Sequence, residues 1–132
     1  MSAGIALARI DHFVLTVRDI DATCRFYTRV LGMKVVRFGA GRIALQFGQH
    51  KINLHPVENA ITLKAEHPAP GSADFCFIAD TPVPEVVAHL QACGVAIVEG
   101  PSERAGALGP ILSVYVRDPD MNLVEIANYI DR

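Results

Sequence analysis

RIDHFVLTVRDIDATCRFYTRVLG at residues 9–32 and SADFCFIADTPVPEVVAHLQACG at residues 72–94 follow one plan. Each opens on a run rich in β-branched and aromatic residues, RIDHFVLTV (9–17) and SADFCFIA (72–79), which predicts a strand. Each then reaches a residue able to cap a helix, Asp19 and Thr81, whose side-chain oxygen can accept from the free N–H groups of a first turn. Ile20, Cys24, Tyr27 and Leu31 then form one apolar stripe at helical spacing, and Val83, Val86, Val87 and Leu90 form the other. Both helices stop at a glycine, Gly32 and Gly94, suited to the left-handed conformation that closes a helix.

Outward from these stretches the likeness continues. After Gly32 come three short strand candidates, 33–38, 42–47 and 51–55, punctuated by Gly39, Gly41 and Gly48, the signature of an antiparallel meander. After Gly94 come 95–98, 111–116 and 123–127. Asp19 and Thr81, Leu31 and Cys93, and His12 and Asp74 all stand 62 residues apart, whereas Ile52-Asn53-Leu54 and Val124-Glu125-Ile126 stand 72 apart. The second copy therefore holds ten extra residues, expected in the Gly- and Pro-rich stretch 99–110. The sequence predicts an α+β protein of two strand-helix-three-strand modules, 9–56 and 72–129. They are joined by a linker at 57–71 that shows no period and carries Pro68, Pro70 and Gly71.

The 132 residues suit one domain with a substantial core, and an apolar content of 51% argues against disorder. A net charge of −2, with Lys and Arg scattered, argues against nucleic acid as a partner. Cys24, Cys76 and Cys93 are odd in number and lack a Cys-x-x-Cys spacing, so they read as reduced thiols. The first residues lack the pattern of a secretory signal, and no apolar run approaches a membrane span, so the expected compartment is the cytoplasm.

Two polar residues interrupt apolar strands. In the first strand His12, Val14 and Thr16 share one face, and Phe13, Leu15 and Val17 share the other, larger apolar one, which the helix should cover. His12 then points to the opposite, concave side. Glu125, within Leu123-Val124-Glu125-Ile126-Ala127, points the same way by the same alternation, and a carboxylate buried there needs a partner. An imidazole and a carboxylate can converge on one divalent ion. The third donor stays open: His55 by chemistry, Asp74 as the repeat mate of His12, or Asn53 as the mate of Glu125. Phe38, Arg104 and Tyr115 are candidates to line the concave side.

Ile10-Asp11-His12, Phe26-Tyr27 with Val30-Leu31-Gly32, and Asp118-Pro119-Asp120 followed by Leu123-Val124-Glu125-Ile126 together resemble the vicinal oxygen chelate superfamily. That superfamily includes glyoxalase I, extradiol dioxygenases, and fosfomycin- and bleomycin-resistance proteins. Lys51-Ile52-Asn53-Leu54-His55 and Pro70-Gly71-Ser72-Ala73-Asp74 are similar to the small glyoxalase-domain-containing proteins of the group numbered five. The resemblance implies paired βαβββ modules forming a cup, helices on its convex side, with one divalent ion (Mn, Fe, Ni, Co or Zn) that chelates a small substrate through adjacent oxygens. It makes His12 and Glu125 the first- and last-strand ligands and Glu125 the catalytic candidate. It also implies a homodimer, with the cup formed within or across subunits, and a metal-dependent lyase, isomerase or dioxygenase. The alternative is a non-catalytic small-molecule or antibiotic-binding protein of the bleomycin-resistance type. Two departures stand out. Asp74 replaces a usual histidine, and Met121 follows Asp-Pro-Asp where glycine is usual. If that turn needs a positive φ, Met121 costs roughly 1 kcal/mol.

Overall fold

In a computed structural model, which describes residues 4–131, the two modules share one topology. The first comprises β1 (His12–Val17), α1 (Ile20–Arg29), β2 (Lys34–Phe38), β3 (Arg42–Phe47) and β4 (His50–Pro56), in the sheet order β1-β4-β3-β2. The second comprises β5 (Asp74–Ile78), α2 (Val83–Ala92), β6 (Glu99–Gly106), β7 (Gly109–Arg117) and β8 (Leu123–Tyr129), in the order β5-β8-β7-β6. In each sheet the first strand runs parallel to the last, a pairing that a crossover helix makes possible, and the remaining pairs are antiparallel. The fold is α+β with two mixed four-stranded sheets, as the repeat predicts.

Two local expectations are corrected. Residues 95–98 form no strand; β6 begins at Glu99, and the stretch 99–110 forms the β6–β7 hairpin. The extra residues lengthen β6 and β7 to 8 and 9 residues, against 5 and 6 in β2 and β3. The pairing shifts register between Glu99 and Ser102, where Gly100 has φ +96 and a Cβ would come within 2.3 Å of the Ser113 carbonyl oxygen. At α1, Asp19 does cap, accepting from the Ala22 N–H at 3.1 Å. At α2, Thr81 does not. The cap position falls one residue later, on Pro82, which brings no side-chain acceptor. Asn128 of β8 takes over: its Oδ1 accepts from the Val83 N–H at 2.7 Å, and its Nδ2 donates to the Ala79 and Thr81 carbonyls at 3.0 Å each. Met121 has φ 71, so the strained turn the sequence warns of is present.

Strand alternation sorts the side chains as expected. Leu15, Val17, Leu45, Ile52 and Leu54 of the first sheet and Val114, Val116, Val124 and Ile126 of the second face inward. They meet Tyr27 and Val30 from the α1 segment and Val83, Val86 and Leu90 from α2 in one continuous core. Rings tie the sheets together, Phe13 to Phe75 at 5.1 Å and Phe47 to Phe77 at 5.0 Å between centroids. A buried polar knot does the same. Tyr27 of α1 donates to Asp118 Oδ2 at 2.7 Å, and Asp118 also accepts from the Asp120 and Asn122 backbone N–H groups and from Asn122 Nδ2. Arg18 meets the buried Asp120 through its backbone N–H at 3.1 Å and its guanidinium at 3.3 Å. With the inner faces filled, the outer faces are left for chemistry.

Candidate functional site

On the first sheet, register aligns His12 with Lys51, Val14 with Asn53 and Thr16 with His55, so all six share the outer face, with Arg42, Ala44 and Gln46 beside them. His12 Nδ1 lies 2.8 Å from Asp11 Oδ1. A carboxylate on one ring nitrogen fixes the tautomer and leaves Nε2 free to donate its lone pair, the usual support of a metal-ligating histidine. His12, in turn, is the main cause holding the Asp11 carboxyl below its ordinary range. Asn53 is 5% exposed, and its Oδ1 is sealed from solvent without a hydrogen-bond partner. It lies beneath Lys51, whose ammonium reaches across the sheet to the Phe38 ring, 3.7 Å from its centre and away from His12. His55 is buried, and Arg42 donates toward its Nε2 at 3.4 Å. Burial foremost, then Arg42 and Lys64, lowers the His55 pKa.

On the second sheet, Asp74, Cys76 and Ile78 align with Leu123, Glu125 and Ala127, and Tyr115 aligns with Glu125. The Ser113 hydroxyl donates to Glu125 Oε2 at 2.5 Å, and Cys76 and Tyr115 also hydrogen-bond this carboxylate. Glu125 marks its neighbours: burial and then this carboxylate push the Cys76 thiol up to about 11, and the same two causes raise Tyr115. Arg104 lies over the Tyr115 ring at 5.4 Å and pairs with Glu99 at 3.6 Å.

The structure brings His12 and Asp74 to one groove of roughly 770 Å³, floored by Phe13, Phe47, Phe75 and Phe77. Glu125 lines another, of roughly 460 Å³, with Cys76, Arg104, Tyr115 and Tyr129. His55 lines a third beneath the linker, with Lys64 and His67. Among the described residues of one chain, no three His, Cys, Asp or Glu side chains gather closely enough to hold a metal. The donors His12 Nε2, Asp74 and Glu125 Oε1 nonetheless suit a divalent ion chemically, while the sealed Asn53 does not. Sequence reasoning missed Ser113, Lys51 and Arg42. Alternation could have placed each on the outer face once the strand pairing was known.

A family model described as Glyoxalase/Bleomycin resistance protein/Dioxygenase superfamily matches residues 9–126. The chain belongs to this superfamily. It is 54% identical over 129 residues to virulence protein STM3117 of Salmonella typhimurium, covering 98% of this chain and 90% of that one. The crystal structure of STM3117 superimposes with a TM-score of 0.94 over 96% of this chain and 100% of that one. Glyoxalase domain-containing protein RDO1 of Mycosarcoma maydis is 51% identical over 127 residues, 96% of this chain and 72% of its own. Lactoylglutathione lyase of Agrobacterium tumefaciens, 25% identical, superimposes with a TM-score of 0.71 over 93% of this chain and 95% of its own. The Asp118-Pro119-Asp120 turn braces the second sheet against α1 and Arg18. No helix of the described residues is long and apolar enough to cross a membrane.

Proposed function

We propose that the protein is a homodimer in which the first sheet's outer face from one chain and the second sheet's outer face from its partner enclose a cup for a small oxygenated molecule. His12 of one chain and Glu125 of the other then hold one divalent ion, with Asp74, which shares the His12 groove, as a third donor. The observation that carries this reading is the orientation of the pair. His12 and Glu125 occupy the first strand of one module and the last strand of the other, each with a neighbour that orients it, yet they line separate grooves of one chain. A second copy related by a two-fold axis can close both half-lined walls at once. β1 and β5, each at a sheet edge, are the strands such a copy would meet.

The ion, one of Mn, Fe, Ni, Co or Zn, would act as a Lewis acid toward two adjacent oxygens of the bound molecule. The chain's own groups do the rest. Asp11 holds the His12 tautomer, and Ser113 orients Glu125. The reaction class this fits best is a glyoxalase-like lyase or isomerase, in keeping with the lyase among the structural relatives; a dioxygenase would need His55 as a second imidazole, which Arg42 engages. The second reading is a binding protein of the bleomycin-resistance type without catalysis. The sealed Asn53, in a position equivalent to Glu125, favours it.

Subunit mixing tests the proposal. His12→Ala and Glu125→Gln homodimers should each bind no metal. A mixed dimer should regain one intact cup, with about half the wild-type metal content and a higher melting temperature that chelation removes. Absence of recovery in a confirmed mixed dimer would refute the shared cup. Wild-type protein that shows no thermal shift with any of the five ions would hand the lead to the binding reading.

A further inference from the structure

Among the described residues, Arg42 and Lys51 on the outer face of the first sheet form no ion pair with a carboxylate. The Arg42 guanidinium lies 4.7 Å and the Lys51 ammonium 3.7 Å from the centre of the Phe38 ring. The two charges therefore stand at most about 8.4 Å apart and repel each other through the solvent. The ring face offsets part of that repulsion by attracting both. Lys64 adds a third positive charge from the linker: its field acts on His55, and its ammonium donates to Asn59 Oδ1 at 3.4 Å. Asp11 feels Lys51, but its closest cationic contacts are His12 and Arg9. Among the described residues the ion pairs involve Arg9, His12, Arg18 and Arg104, and none involves Arg42, Lys51 or Lys64.

The contrast with the second sheet is informative. There the cation beside an aromatic ring, Arg104 over Tyr115, has its carboxylate, Glu99, at 3.6 Å. The same arrangement on the first sheet lacks the anion. One carboxylate or phosphoryl group can bridge two cations up to about 8 Å apart through charge-assisted hydrogen bonds of about 2.8 Å on either side. Arg42 is also held in place from behind, donating toward the buried His55 Nε2.

We propose that Arg42 and Lys51, gathered on Phe38 and supported by Lys64, form a subsite for the carboxylate or phosphoryl group of an anionic ligand. The subsite lies along the cup wall from His12, since Lys51 neighbours His12 in register and turns away from it toward Phe38. It deepens the cup reading by adding the charge class of the ligand, and rests on that reading only for what covers the face.

The test uses chelator-treated, full-length protein, so that it is independent of the metal. Arg and Lys side-chain NMR signals and the melting temperature are followed in sodium phosphate, sodium acetate and sodium chloride at matched ionic strength. Saturable shifts of Arg42 and Lys51 in phosphate alone indicate a phosphoryl ligand, and in acetate alone or in both a carboxylate-compatible one. The Arg42→Gln/Lys51→Met variant should bind about tenfold more weakly, and Arg42→Lys should retain most of the response. If the double variant does not fold, Lys51→Met and Lys64→Met are compared singly, each expected to weaken binding about threefold. No saturable shift in either anion, or equal binding by the charge-removed variants, overturns the proposal. Anion binding without metal recovery in mixed dimers would sink the metal reading alone; metal recovery without anion binding would sink the subsite alone.

Discussion

Asp118→Asn probes the bond between the two modules. Asp118 is 3% exposed and accepts four hydrogen bonds: Tyr27 Oη at 2.7 Å and Asn122 Nδ2 at 2.8 Å on Oδ2, and the N–H groups of Asp120 at 2.9 Å and Asn122 at 3.0 Å on Oδ1. An asparagine keeps one oxygen. With the NH2 at the Oδ1 place it faces two backbone N–H donors; at the Oδ2 place it faces the Asn122 amide, while the Tyr27 hydroxyl can turn to accept, so either way two bonds to a charged acceptor are lost and at least one donor is left unpaired. At roughly 1.5–3 kcal/mol for each such bond, the expected loss is roughly 3–6 kcal/mol. That is a large part of the roughly 5–15 kcal/mol typical of a native protein, and at about 3–4 °C per kcal/mol it lowers the melting temperature by roughly 10–25 °C. Tyr27→Phe removes one donor and leaves the carboxylate three partners, so it should cost about 1–2 kcal/mol. Urea unfolding of the two single variants and the double variant closes a cycle, and the coupling should be at least about 1 kcal/mol. A loss below about 1 kcal/mol for Asp118→Asn, or additive effects, would refute the claim that this knot joins α1 to the β7–β8 turn.

Met121→Gly relieves a φ of 71 at an exposed position and should raise stability by up to about 1 kcal/mol by thermal unfolding; a loss would mean the Met121 side chain contributes more than its backbone costs. Cys76, with its thiol pushed up to about 11 by burial and Glu125, should alkylate slowly with iodoacetamide at pH 8 despite its exposure, and Glu125→Gln should speed it. His55, buried and lowered from its ordinary 6.5, binds fewer protons folded than unfolded. Its contribution is therefore intact above pH 6.5 and stability falls as pH drops below that value; His55→Gln should flatten this limb of the pH–stability curve, and an unchanged slope would contradict the burial argument.

Much of the architecture was legible because the periodicities are clean. Ile20, Cys24, Tyr27 and Leu31 mark α1, and the offset between Asp19 and Thr81 marks the repeat. The start of α2 was misread because its cap comes from Asn128, more than forty residues away, and no local pattern shows a long-range acceptor. The strand at 95–98 was misplaced because apolar β-branched residues there resemble a strand, while the real β6, EGPSERAG, owes its conformation to pairing with β7. His12 and Glu125 were found as polar breaks in apolar strands, and alternation assigned both to outer faces. Period-two patterns do not say which sheet opposes which, so the separation of the two grooves within one chain could not be read from them.

The interleaving along β4 has a consequence for how such a chain can diverge. Ile52 and Leu54 belong to the core, whereas Lys51, Asn53 and His55 belong to the opposite surface. Point substitutions at the odd positions can change what the wall recognises while the even positions go on holding the fold. Insertion or deletion of one residue within β4 does the reverse, exchanging the two sets at a stroke. This strand is therefore more tolerant of replacement at its odd positions than of any change in length. New specificities are accessible to it one side chain at a time, without passing through an unfolded ancestor.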